Sequence, residues 1–170
     1  MTNISNTLNR LLQTKSYGKI VTELLQAAAE NGKFDPIKRN EILRKHWFAF
    51  KCRYINDALN AILDYVDLVL EDDILTEEEW TSIRWMKAYL NINESDFRKH
   101  KTEGRIKHIL TEQLRKLYAD NLIERHEAIM QSEMQGLFGM ISEMYSHFVE
   151  QIKQETIENG ANKIDLIKNT

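Results

Sequence analysis

Apolar residues recur along this chain at intervals of three and four, the spacing that lines one face of an α-helix. Ile20, Val21, Leu24, Leu25 and Ala28 form the first stripe, and Asn31-Gly32 after it supplies the left-handed residue with which helices commonly end. Asp35-Pro36 opens the next element. The Asp35 carboxylate can accept from backbone amides of a first turn, and Pro36 has no amide to leave unpaired there. From Pro36 to Glu71 no further Pro and no Gly occurs, so the pattern predicts one long helix or two joined without an obvious breaker, and marks no position for a break.

Within that stretch Ile55, Leu59, Ile62, Leu63, Val66, Val69 and Leu70 form a stripe, with Asp57, Asn60, Asp64, Asp67 and Glu71 on the opposite face. Thr76-Glu77-Glu78-Glu79 reads as a capping box that starts a helix carrying Trp80, Ile83, Met86, Tyr89 and Leu90, ended by Asn91 to Asn93. A shorter helical segment spans about Glu94 to His100. After Gly104, a stripe runs from Ile106 through Ile109, Leu110, Leu114 and Leu117 to Tyr118, followed by a polar turn at Asp120-Asn121. A helix bearing Met130, Met134, Leu137 and Phe138 closes at Gly139. The last helix shows Ile141, Met144, Tyr145, Phe148, Val149 and Ile152 and stops at Asn159-Gly160, leaving a tail, 159–170, as a docking strand, a short helix or a frayed end. The expected fold is an all-α, single-domain bundle of six to seven helices over residues 1–170.

Composition supports that expectation. One Pro and six Gly in 170 residues are too few turn formers for a many-stranded sandwich or barrel, and 42% hydrophobic residues are too many for a chain that stays disordered. The lone Cys52 excludes an intrachain disulfide framework and a multi-cysteine zinc site, and reads as a small buried hydrophobe in a reduced compartment. With no basic flank leading into an apolar run at the start, and no apolar stretch of membrane-spanning length, a soluble cytoplasmic protein is expected.

A shift of 48 residues brings two segments into register. Ala58, Ala61, Ile62, Val66, Val69 and Leu70 then fall on Ile106, Ile109, Leu110, Leu114, Leu117 and Tyr118. The turns superpose as well: Asp72-Asp73-Ile74-Leu75 falls on Asp120-Asn121-Leu122-Ile123, and Glu79 on Glu127. Each turn reads Asp, a polar residue, two aliphatics, three variable positions and Glu. The expectation is a duplicated helix-turn-helix unit paired about a pseudo-two-fold axis.

These acidic turns resemble those of the TerB-like family of bacterial tellurite-resistance and stress-associated helical domains. The likeness covers about residues 57–149, leaves N-terminal helices within 1–56 outside it, and is clearest from Leu70 to Glu79. In that family an Asp-Gly turn precedes, by a few residues, a Glu that opens the next helix. Asp72 and Asp120 match its Asp, and Glu79 and Glu127 its Glu, whereas Asp73 and Asn121 stand where the family has Gly. Both tolerate a left-handed turn better than other non-Gly residues. The resemblance implies two pseudo-symmetric helical halves, and a divalent-cation site, Ca²⁺ or Mg²⁺, at Asp72, Glu79, Asp120 and Glu127. The plain alternative for these four acids is helix capping, each contributing about 0.5 to 1 kcal/mol without any metal. The spacing is not that of an EF-hand, whose obligatory Gly is missing.

Charge is arranged in blocks. Residues 57–79 hold nine carboxylates and no Lys or Arg, while residues 38–54 and 98–116 each carry a net charge of +5. Trp47, Phe48, Phe50 and Tyr54 are interleaved with the first basic block, and could serve an anionic surface, although core aromatics with solvated cations are the simpler reading. The chain as a whole is −3, which offers no strong case for nucleic acid and at most peripheral membrane contact. Attraction between blocks favours a protein partner or self-association.

No catalytic constellation is present. Glu143 and His147 share a helix face, but the paired Glu-x-x-His of di-iron bundles is absent, as are nucleophile-elbow, phosphate-loop and dinucleotide motifs, and no small-molecule substrate is suggested. Met130, Met134, Met140 and Met144 read as core filler. The functional expectation is a non-enzymatic, TerB-like interaction module in a bacterial stress or envelope-associated response, sensitive to cations at its acidic turns. The alternative is a structural or adaptor bundle, of phage or mobile-element type, that self-assembles without metal.

Overall fold

The structure is a computed structural model, which describes residues 3–46, 54–70, 76–100, 102–117, 135–140 and 142–158. These residues contain helices and no strand. In chain order they are α1 (Asn3–Thr14), α2 (Lys19–Asn31), α3 (Pro36–Lys45), α4 (Tyr54–Val69), α5 (Glu77–Tyr89), α6 (Glu94–Lys99), α7 (Glu103–Leu117), α8 (135–138) and α9 (Ser142–Glu158). Nine helices among the described residues replace the six to seven expected.

Two departures account for the difference. The first is α1, whose Asn3, Asn6, Thr7 and Asn9 are poor helix formers and hide a three-turn pattern in a polar sequence. Its helicity comes from packing on α2 and α4, which buries Leu8 and Leu11 completely. Ser5 lies in the same seam, and its hydroxyl donates to the Ala29 carbonyl at 2.7 Å. The second departure is the break between Pro36 and Glu71. Helix α3 stops at His46, whose amide donates to Leu43 O at 3.2 Å, and α4 starts at Tyr54. No Gly or Pro marks this end. The His46 ring instead meets Glu23 of α2 at 3.0 Å, a partner 23 residues away that local sequence does not display.

The chain divides into two compact units, 1–96 and 97–170. In the first, α1 packs on α2 and α4, α2 also meets α3, and α4 meets α5. The core is aliphatic around Val21, Leu24, Leu25, Leu59, Ile62 and Leu63, all at or below 1% exposure. Burial of this many Leu, Ile and Val side chains, at roughly 1.5 to 3 kcal/mol each, is what stabilises the unit. In the second, α7 packs on α9, Phe97 meets Phe138 edge-on at 5.6 Å, and the Lys107 ammonium lies 5.5 Å over the Phe148 ring. Met144, expected in the core, is 52% exposed. Met130, Met134, Cys52, Trp47, Phe48, Phe50 and the tail 159–170 lie outside the described residues.

The 48-residue register recurs in how helices end. Asn91 has φ 54° and Gly139 φ 62°. Asn91 N donates to Ala88 O at 3.1 Å and Ile92 N to Lys87 O at 3.0 Å; Gly139 N donates to Gly136 O at 3.3 Å and Met140 N to Gln135 O at 3.1 Å. Every donor and acceptor of the first set is matched 48 residues on, so α5 and α8 terminate by the same left-handed cap.

Candidate functional site

Of the four acids singled out in the sequence, Glu79 is the one described; Asp72, Asp120 and Glu127 lie outside the described residues. Glu79 completes the capping box of α5. Its Oε2 accepts from Thr76 N at 2.8 Å and Thr76 Oγ1 at 2.9 Å, while Glu79 N donates back to Thr76 Oγ1 at 3.3 Å. Among the described residues no group of three or more His, Cys, Asp or Glu side chains is placed to hold a metal ion. Glu143 and His147 are both exposed on α9.

Two acids on the face of α4 opposite the apolar stripe have structural partners. Gly18 N donates to Asp57 Oδ2 at 3.2 Å, Tyr17 OH donates to Asp64 Oδ2 at 2.9 Å, and the Lys15 ammonium is 3.7 Å from Asp64 Oδ1. These bonds fix the link between α1 and α2 onto α4. The acidic block is therefore partly neutralised inside the first unit.

A different feature stands out where α2 turns into α3 beside α5. Gly32, with φ 65°, ends α2 and redirects the chain so that Lys33, Phe34 and Pro36 border a groove. Phe34 tilts against Tyr89 with ring centroids 5.4 Å apart. Trp85, one turn before Tyr89, forms the other wall and remains 55% exposed, whereas Trp80 on the buried face is 2% exposed. The groove measures about 450 Å³ and is completed by Ala88 and Arg39. Ile37, adjoining Pro36, is 72% exposed.

The groove floor is held from three helices. Arg39 of α3 donates through Nε to the Tyr89 carbonyl, Tyr54 OH of α4 donates to Leu90 O at 2.7 Å, and Tyr89 OH reaches Leu24 O of α2 at 3.2 Å. Carbonyls at the C-terminus of α5, which have no partner within the helix, are satisfied in this way. Burial pushes the phenols of Tyr54 and Tyr89 up to about 12, so both stay neutral donors at physiological pH. At the rim, the Lys33 side chain has no hydrogen bond or ion pair among the described residues and is exposed. Asp35, the nearest acid in sequence, spends its carboxylate on Ile37 N and Lys38 N, at 2.8 and 3.4 Å. The capping carboxylate keeps its charge, so Lys33 and Arg39 together leave the rim with a surplus of one positive charge.

A second groove, of about 410 Å³, runs between α2 and α3 on the other side. Four of its five charged side chains pair with one another, Lys38 with Glu41 at 3.1 Å and Lys45 with Glu23 at 3.3 Å, and Glu30 is the fifth. The His46 hydrogen bond, assisted by Lys45, outweighs burial and holds the Glu23 carboxyl below its ordinary range. This groove is a helix seam whose cations are both engaged by its own acids.

Trp85 is the residue that sequence reasoning passed over. It falls off the stripe of Trp80, Ile83, Met86 and Leu90, and a large aromatic on the polar face of an amphipathic helix was the available signal. Compared with known proteins, the chain matches no family model, no curated protein and no solved structure. No helix among the described residues is long and apolar enough to cross a membrane.

Proposed function

We propose that this protein is a non-catalytic helical interaction module of TerB-like type, acting in the bacterial cytoplasm in a stress or envelope-associated response by docking a partner protein. The observation that carries this reading is Trp85, 55% exposed in an aromatic groove whose floor is fixed by hydrogen bonds from three other helices. Interfaces concentrate their energy in a few Trp, Tyr and Arg side chains on rigid supports, and this groove supplies all three types. The acidic turns around Asp72 and Asp120, with Glu79 and Glu127, support a cation-sensitive version of the same module.

Photo-crosslinking in cells tests the docking reading. A photoreactive residue at position 85 is expected to give a discrete adduct, identifiable by mass spectrometry. The same residue at exposed Gln13 of α1 is expected to give none. The adduct should vanish when Ala88→Glu blocks the groove. An adduct consisting of a second copy of this chain would replace partner docking with self-association, and the absence of any adduct specific to position 85 would overturn the site.

A further inference from the structure

The aromatic groove has a cationic rim, and its chemistry narrows what can fill it. Phe34, Trp85 and Tyr89 offer ring faces and edges, Pro36 and Ala88 offer aliphatic surface, and Lys33 and Arg39 stand at the border. Arg39 is anchored through Nε and also donates through a terminal nitrogen to Asn40 Oδ1 at 3.2 Å. Its position is thereby fixed while the guanidinium retains further donors for an anion. Lys33 contributes a cation not engaged by any described residue. Asp35 keeps its negative charge while it caps the first turn of α3, and that charge is felt at Tyr89, so the border carries two cations against one acid and its surplus is a single positive charge.

We propose that this groove receives an acidic peptide segment of a partner protein, with one aromatic or branched aliphatic side chain seated between Trp85 and Phe34 and flanking carboxylates on Lys33 and Arg39. The inference rests on the docking reading above and adds the chemistry of the occupant. Complementarity of charge selects the acid. A basic segment would meet two like charges at the rim, at an unfavourable cost that screening only partly removes. A neutral apolar segment would leave the ammonium and guanidinium beside the interface without carboxylate partners. Nucleic acid is the other polyanion with planar groups, but its affinity depends on neutralising many phosphates in a row. The basic block around Arg39 does not extend that track from the groove, because Lys38 is engaged by Glu41 and Lys45 by Glu23.

The test uses the whole protein and defined probes. Indole N–H resonances are recorded while three synthetic peptides are added: one with a central Phe flanked by Glu and Asp, one with Gly in place of the Phe, and one with Lys in place of the acids. A twelve-residue oligothymidylate is the fourth probe. The Phe-acidic peptide is expected to shift the Trp85 resonance in a saturable manner, with the Gly and Lys versions at least tenfold weaker. Trp85→Ala, followed through the backbone amide resonance of groove-lining Ala88 because the indole is gone, should weaken binding about tenfold or more, as for an interface anchor. Lys33→Glu should weaken it several-fold, and raising NaCl from 0.05 to 0.5 M should do the same, as expected for ion pairs screened at the rim. Both side chains are exposed, so both variants should keep the wild-type helical spectrum. Equal binding of the Lys peptide, or binding that survives Trp85→Ala in a folded variant, overturns the proposal. Tighter binding of the oligothymidylate replaces it with a nucleic-acid site. If position 85 crosslinks a partner in cells but the acidic peptide does not bind, the docking site stands and only its acidic occupant falls.

Discussion

The amide of Gly18 donates to Asp57 Oδ2 at 3.2 Å, and a Cβ on residue 18 would lie only 2.3 Å from that same oxygen. Gly18 has φ −59° and ψ 153°, a conformation open to any residue, so the need for glycine here is one of approach and not of dihedral angle. The contact ties the start of α2 to α4 across 39 residues of sequence.

Gly18→Ala is therefore expected to push the Asp57 carboxylate aside and lower stability by about 1 to 2 kcal/mol, the range for leaving a partly buried polar group without its partner. Urea unfolding measures it. Because both changes act on one contact, Gly18→Ala with Asp57→Ala should cost no more than Asp57→Ala alone. Additive losses in the double variant would show that the alanine methyl collides with something else.

The α5 capping box separates the two readings of its acid. Thr76→Ala removes the hydroxyl that bonds Glu79 N and should cost about 1 kcal/mol, whether or not a cation is present. Cation binding makes a further demand. Millimolar Ca²⁺ or Mg²⁺ should raise the melting temperature, and Asp72→Asn together with Asp120→Asn should abolish the rise. An unchanged melting temperature on adding either ion would leave capping as the sole role of Glu79.

What could be read in advance depended on how far apart the partners lie. Thr76 and Glu79 are three residues apart, Asp35 caps amides two and three residues on, and Gly32 takes the left-handed angle that Asn31-Gly32 announces. All three are local, and the sequence pattern named each of them. The break after α3 was hidden because its anchor, Glu23, is 23 residues from His46. The sequence pattern places Asp57 and Asp64 on the polar face of α4 without naming partners, because their donors, Gly18 and Tyr17, are 39 and 47 residues away. Helix α1 was invisible to propensity because tertiary burial of Leu8 and Leu11 decides it. The groove depended on three separated segments, 33–39, 54 and 85–90, and periodicity within one helix cannot report such a meeting.

Acid should expose the contribution of Glu23. His46 and Lys45 hold its carboxyl below the ordinary value of 4.5, so the folded state releases this proton more readily than the unfolded chain. The resulting stabilisation is present above about pH 4.5 and is lost as pH falls through the lowered value. Urea midpoints measured from pH 6 down to pH 3 should therefore fall more steeply in the wild type than in Glu23→Gln or His46→Ala. Parallel curves would mean that the pair exerts no net pull between α2 and the end of α3.

Alkali acts in the opposite sense on the buried phenols. Burial pushes Tyr54, Tyr65 and Tyr89 up to about 12, against an ordinary value of 10 that the unfolded chain would show. Between pH 10 and 12 the unfolded state then binds fewer protons than the folded one, and stability falls as pH rises. Ultraviolet titration should show Tyr54, Tyr65 and Tyr89 ionising only late, together with loss of helix. Tyr54→Phe removes one of them along with the hydrogen bond to Leu90 O at 2.7 Å. It should cost about 1 to 2 kcal/mol, since a carbonyl at the end of α5 is left without its donor. The same variant should loosen the floor of the aromatic groove, seen as line broadening of the Trp85 indole resonance while that of Trp80 stays sharp. Broadening of both would instead indicate general loosening of the first unit, and the groove would then owe nothing particular to Tyr54.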